Sequence, residues 1–269
     1  AAIMRRSKNG SSGSISAWVT APVFQPQLGA NPRTIAVDTQ LTPTGTDQIL
    51  GVDNLTAATG LWVRPGVTLT LLPNIDLVPP VGRDTARLNF TSGLFIEGTV
   101  AAGLREGSAV DTATITITTT SFVVASTGRI LLPGMDAGGL GGALLVTAAA
   151  DVVNAGAIDT SGGDGVTGGA GGSVTFYANT TIFNSGTIVT SGGASSAATG
   201  GAAGAVTFDA SLANFGGAFN NGSITTLGAS GTAGGNGGNI LLRTNTLGGI
   251  ASAGPIDASA GEGTAGVGG

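Results

Sequence analysis

The chain contains neither histidine nor cysteine, so acid–base chemistry falls to its fifteen aspartates and glutamates. Ser–His–Asp and Cys–His nucleophilic sites, histidine metal ligation, thiolate chemistry and disulfides are all removed. Carboxylate pairs of the glycosidase kind remain open, because they need only two acids about 5–9.5 Å apart. The acids are spread thinly. Asp159 and Asp257 share one place in a repeat, directly after an isoleucine, while Val189 and Thr225 occupy that place in the intervening units. Sheet spacing would hold the two acids about 14 Å apart. That is too far for a catalytic pair, and solvent-facing acids are the expectation. Asp136, Asp164 and Glu262 lie in glycine loops. The stretches GGDGVTGGA and GGNGGNILL nevertheless fail to place aspartates as the calcium-binding glycine–aspartate nonapeptide requires. EF-hand spacing and a P-loop lysine are also absent, Lys8 being the only lysine. The threonines of TATITITTT at 112–120 are not repeated as an array in the equivalent segments, and ordinary β-propensity accounts for them. The expectation is therefore a protein that is not an enzyme, with no catalytic residue, no metal site and no cofactor.

Composition narrows the class further. Forty-nine of the 269 residues are glycine, 41% are apolar and only 9% are charged. Disordered chains usually show the opposite balance of charge and apolarity. After Arg129 the only basic residue is Arg243, so the glycine-rich half has no basic stripe. Neither a phosphate backbone nor an anionic membrane surface is an expected partner. No apolar run approaches the 18 or more residues of a membrane span, and membrane insertion is not expected.

The residues are organised by an internal repeat. Units open with GRILLP at 128, GAIDTSGG at 156, GTIVTSGG at 186, GSITTLGA at 222 and GPIDASAG at 254, with weaker starts at 66 and 98. Each unit opens with a short strand carrying Ile130, Ile158, Ile188, Ile224 or Ile256. A Gly/Ser/Thr/Ala loop follows, then an alternating strand such as SVTFYA or AVTFDA. Its inward positions read Val174 and Phe176, Val206 and Phe208, and Ile240 and Leu242. A third apolar segment ends in asparagine at Asn154, Asn184 and Asn220. The alternation has period two, and the glycines exclude long helices. Three short strands in about 30 residues bury nothing alone, but stacked in register they enclose a core. The reading is an all-β parallel β-helix (β-solenoid) over 66–269, with an isoleucine ladder inside and an asparagine ladder at a corner. The extra length of the unit starting at 186 is assigned to an outward loop around NFGGAFN.

Residues 1–65 do not follow this period, and they read as an N-terminal cap or a subunit-connecting arm. The end coil of a β-helix exposes apolar interior and an unpaired edge. GEGTAGVGG at 261–269 aligns with the loop that elsewhere leads into the second strand. The coil opened by Gly254 is therefore expected to be completed by strand material of another copy, from residues around 11–24 or 33–41. On this reading the polymerisation interface comprises Ile15, Trp18, Val19, Val23 and Phe24 at one end and Ile256 and Val267 at the other.

The unit GAIDTSGGDGVTGGAGGSVTFYANTTIFNSG resembles the repeats of large secreted bacterial β-helical surface proteins, the filamentous-haemagglutinin-like adhesins being the nearest family. That resemblance covers 66–269 and implies an extracellular, cofactor-free rod in adhesion or matrix formation. The sequence thus supports a filament, sheath or matrix subunit that forms an end-to-end homopolymer. An adhesin binding cell-surface glycans through its loops is the alternative, and a polysaccharide-active enzyme the second. Asn9, Asn54, Asn89, Asn179 and Asn221 stand in N-x-S/T acceptor patterns and are candidates for glycosylation if the export route allows.

Overall fold

The computed structural model describes residues 28–30, 32–41, 59–71, 84–102, 113–211, 216–245 and 248–263. All the regular elements among them are β-strands, in three parallel sheets that the chain visits in turn as it winds about one axis. Sheet A stacks β1 (Pro32–Ile35), β3 (Gly60–Val63), β6 (Gly93–Ile96), β9 (Ser121–Val124), β12 (Val152–Asn154), β15 (Thr181–Asn184), β18 (Gly217–Asn220) and β21 (Gly249–Ser252). Sheet B stacks β2 (Thr39–Leu41), β4 (Thr68–Leu71), β7 (Thr99–Ala102), β10 (Arg129–Leu131), β13 (Ala157–Asp159), β16 (Thr187–Val189), β19 (Ser223–Thr225) and β22 (Ile256–Asp257). Sheet C stacks β5 (Asp84–Asn89), β8 (Ala113–Thr119), β11 (Ala143–Ala148), β14 (Val174–Ala178), β17 (Val206–Ala210) and β20 (Ile240–Thr244). The molecule is a β-solenoid with a period of about 30 residues.

Register follows from which side chains must leave water. Ile130, Ile158, Ile188 and Ile224 are directly paired and wholly buried. Val174 pairs with Val206, and Phe176 with Phe208, in the same way across sheet C. A one-residue slip would turn each of these series outward. Burying a Leu, Ile or Phe contributes about 1.5–3 kcal/mol, so the penalty for a slip grows with every coil. The rings of Phe176 and Phe208 stack at 5.4 Å, and Phe122 from sheet A meets Phe176 at 6.1 Å, so aromatic contacts join two walls across the lumen.

The last rung departs from the expected ladder. Ile256 pairs in register with Ile224, yet it is 43% exposed, and Ile240 and Leu242 are only half-buried. These three positions keep the periodicity but not the burial, because no described strand lies beyond β20, β21 and β22. At the other end, β1, β2 and β3 within residues 32–63 already belong to sheets A and B. The parallel ladders therefore start upstream of the repeat that is legible from 66. GAFN, assigned to an outward loop by sequence, is β18. The extra length of that unit lies before it and in the loop between β16 and β17.

Candidate functional site

Three columns of residues run along the axis, and each answers the question of where buried polar groups find partners. The asparagine column sits at the end of sheet A strands, where β12, β15 and β18 turn towards sheet B. Nδ2 of Asn154 donates to Oδ1 of Asn184 at 2.8 Å, and Nδ2 of Asn184 donates to Oδ1 of Asn220 at 2.7 Å. Nδ2 of Asn220 then reaches Oγ of Ser252 at 3.1 Å. The three asparagines are essentially inaccessible to water, and Oδ1 of Asn154 also accepts the Gly156 amide at 3.2 Å. A buried amide costs little when its donors and acceptors are both used, and this geometry uses them.

The second column was not foreseen, although its signal lies in the repeated Thr of DTSGG, VTSGG and TTLGA. Thr160, Thr190 and Thr226 are fully buried where the chain leaves sheet B. Their hydroxyls donate across the loop to the carbonyls of Gly172, Gly204 and Gly238 at 2.7, 2.9 and 3.2 Å. Each threonine thus ties the two ends of its own glycine loop together.

The third column is made by those loops. Gly261 N–H donates to Gly235, Gly235 to Ala229, Ala229 to Gly201 and Gly201 to Gly193. The series continues through Gly169, Gly163 and Gly139 to the carbonyl of Met135, every bond lying between 2.8 and 3.0 Å. The two limbs of each loop interleave with those of its neighbours. A Cβ at Gly169 would stand 1.9 Å from the carbonyl oxygen of Gly139, and one at Gly201 would stand 1.9 Å from that of Gly169. The glycines are there because backbone touches backbone.

Acidic groups take structural parts. Asp159 and Asp257 are separated in the ladder by Val189 and Thr225, as expected. Oδ1 of each accepts the amide and hydroxyl two residues on, from Ser161 and Ser259 respectively. The Ser259 contacts lower the Asp257 pKa. Asp164 and Asp136 line a shallow depression with Ser195, and Oδ1 of Asp164 accepts the Ala194 amide at 2.6 Å. No cluster of three metal-ligating side chains occurs among the described residues.

Asp209 differs from the other acids. Its side chain is only 4% exposed and is bonded to the guanidinium of Arg243, its partner in the next strand, which is 57% exposed. That hydrogen bond, opposed by burial and helped by Ser211, lowers the carboxyl from the usual 3.8 to about 2. A depressed folded-state pKa stabilises the fold above the unfolded value, and the contribution disappears as pH falls through the folded value. Wild-type stability should therefore decline between about pH 4 and pH 2. Asp209→Asn should lack that part of the decline when denaturation midpoints are compared at pH 6 and pH 2. The effect should be modest, because Arg243 is open to solvent.

Two surface features remain. A groove of about 560 Å³ runs along the corner between sheets A and B, lined mainly by small residues including Ser126, Ser185, Thr187 and Ser223, with Arg129 beside them. On the outer face of sheet A, Phe95, Val123, Val153, Phe183 and Phe219 stand in register. Strict alternation would make these polar; the signal was adjacent apolar residues, FVV at 122–124, VV at 152–153 and IF at 182–183.

The expected polymerisation residues Ile15, Trp18, Val19, Val23, Phe24 and Val267 lie outside the described residues, whereas Ile256 is at the open rung. Asn89, Asn179 and Asn221 are exposed, as a glycan acceptor must be; Asn9 and Asn54 lie outside the described residues. The fold and these columns define a glycine-rich parallel β-solenoid. Comparison with protein-family models, curated proteins and solved structures finds no match for the chain.

Proposed function

We propose that the chain is a structural subunit of an extracellular filament, sheath or surface matrix whose solenoids join head to tail. The observation that carries this reading is the open rung of β20, β21 and β22. Its strands hold ladder register, yet the apolar side chains of Ile250 and Ile256 are 53% and 43% exposed. At the opposite end of the same sheets, β1 and β2 are the outermost described strands. A second copy stacked in register would pair its β1 with β21 and its β2 with β22, covering both isoleucines. Strand addition across a subunit boundary is β-augmentation. A heterologous contact of this kind propagates when it does not close into a ring. The extracellular setting is supported by the likeness of the repeat to secreted surface proteins.

The polar corner groove favours a second reading, a rod-like adhesin whose hydroxyl-rich channel takes a glycan. The filament reading is tested by Ile250→Lys combined with Ile256→Lys. Two exposed positions should leave the fold intact, while about 3 kcal/mol or more of interface burial is lost. That corresponds to at least a hundredfold rise in the concentration needed for assembly. Light scattering and electron microscopy of purified protein would read this. Filaments from the double variant at the parent's concentration would exclude strand complementation at this end.

A further inference from the structure

We propose that Arg33 is a gatekeeper of the head-to-tail joint: it weakens the stack at the first described rung and keeps assembly reversible. The inference rests on the filament reading and concerns the opposite face of the same joint. Its first support is register. In sheet A, Arg33 pairs with Leu61 in a column that continues through Leu94, Phe122, Val152, Ile182 and Ala218 to Ile250. No member from Leu61 to Ala218 is more than 1% exposed. Residues paired in register project on one side of a sheet, so Arg33 is a charged occupant of a lumen position, and it is exposed. Sheet B repeats the change. Thr39 pairs with Leu69 at the foot of the column that carries Val100 and Ile130, and its hydroxyl folds back onto the Val37 carbonyl at 2.8 Å. Ile35 remains buried beside Val63, so the rung has not left the ladder. Both columns thus open on a polar residue and end on Ile250 and Ile256.

The second support is the edge of β1. The Arg64 amide donates to the Ile35 carbonyl at 3.1 Å, so Ile35 and Arg33 turn their backbone groups towards β3. Pro32 and Thr34 turn theirs away, and the N–H that Pro32 lacks is one that an added strand would have used. At the start of the neighbouring strand, Oδ1 of Asp38 accepts the Thr68 amide at 2.8 Å. The equivalent amides of Thr99, Arg129 and Thr187 go to backbone carbonyls instead. An inward charge and a proline on an edge strand are devices by which sheets resist pairing with another chain. The far rung differs. Its lumen positions are hydrocarbon, and the Pro255 carbonyl accepts the Ile224 amide at 3.1 Å, so the N–H missing there faces β19 and not the open edge.

The third is the chemistry of the closed joint. Stacking in register sets Arg33 of one copy against Ile250 of the other, and Thr39 against Ile256. The guanidinium then leaves water, and arginine cannot escape by losing its proton. It needs a carboxylate, and no described acid stands at a lumen position of either rung. Asp257 shares its outward place with Val189 and Thr225, and its Oδ1 is already engaged by Ser259. A charge buried without a partner is strongly unfavourable. The joint therefore gains at the isoleucines and loses at Arg33.

Arg33→Leu supplies the missing hydrocarbon at an exposed site. In the full chain it should lower the concentration at which light scattering reports assembly by at least roughly tenfold. Arg33→Lys keeps the charge and should stay within about twofold of the parent. The gain from Arg33→Leu should vanish when Ile250→Lys is added, because the two positions meet only across the joint. Assembly by Arg33→Leu where the parent stays monomeric is the extreme form of the expected result. A gain that survives Ile250→Lys would place the leucine's effect on another surface and overturn the proposal. An unchanged or raised threshold in Arg33→Leu, with the parent assembling, would remove the gate and leave the filament reading standing. No assembly by the parent or by Arg33→Leu, up to the limit of solubility, would remove both.

Discussion

Gly201→Ala is expected to destabilise the solenoid by about 3 kcal/mol, at the upper end of what overpacking costs. The added methyl would stand 1.9 Å from the Gly169 oxygen, 2.6 Å from its carbon and 2.9 Å from the Gly193 nitrogen, all of them backbone atoms. No side chain can swing aside, so the loops themselves must part. Gly201 donates to Gly193 at 2.9 Å and accepts from Ala229 at 3.0 Å, so parting them strains bonds on both sides of the rung. Gly249→Ala is the comparison, because a Cβ there meets only the Phe219 ring at 3.7 Å, an ordinary van der Waals contact. Denaturant midpoints should fall clearly for Gly201→Ala and little for Gly249→Ala. Equal and small losses would mean that the glycines are not required by close packing.

Asn184→Leu should be comparably severe for a different reason. The substitution keeps most of the volume but removes the middle of the amide column. Oδ1 of Asn220 then loses the Asn184 amide, and Nδ2 of Asn154 keeps only its 3.5 Å contact with the Thr187 carbonyl, both groups being buried, at about 1–3 kcal/mol each. The diagnostic result is non-additivity. Leucine at 154, 184 and 220 together strands fewer side-chain polar groups than leucine at 184 alone, and should be the more stable protein. Thermal melts of the single and triple variants decide this. A triple variant weaker than the single one would show that the amides contribute through bonds to the corner backbone rather than to each other.

The interior was legible in sequence because burial there imposes a pattern. A glycine two residues before Ile130, Ile158, Ile188 and Ile224, with period-two alternation around Phe176 and Phe208, fixed both strand identity and register. The asparagines were equally readable, since their spacing follows the coils. What failed was context that a single unit does not contain. Ile256 repeats the motif faithfully, yet its burial depends on a rung beyond it. PRTI and GLWV carry neither the preceding glycine pattern nor a closing asparagine, so the coils they begin were grouped with a cap. The outer stripe escaped because Val123, Val153 and Phe183 sit between inward residues in short strands. Two or three adjacent apolar residues read equally well as one buried face. The threonine column escaped because Thr in a Ser/Thr-rich loop is unremarked until its hydroxyl is seen to close that loop.

The loop column also gives the solenoid a sense of direction. Its hydrogen bonds pass from Gly261 back to Met135 without reversing, each amide giving to a carbonyl earlier in the chain. Beside it a second series runs towards later coils, from Gly134 to Ser161, Gly162 to Ser191, Gly192 to Leu227 and Gly228 to Ser259. The two sets of peptide dipoles largely cancel, so the direction is one of pattern and not of charge. Along their column, the side-chain amides from Asn154 to Ser252 give their hydrogens towards later coils only. Two such bodies meeting by unlike ends would continue every one of these series in step. Any fibre built in that way should be a vector with distinguishable tips.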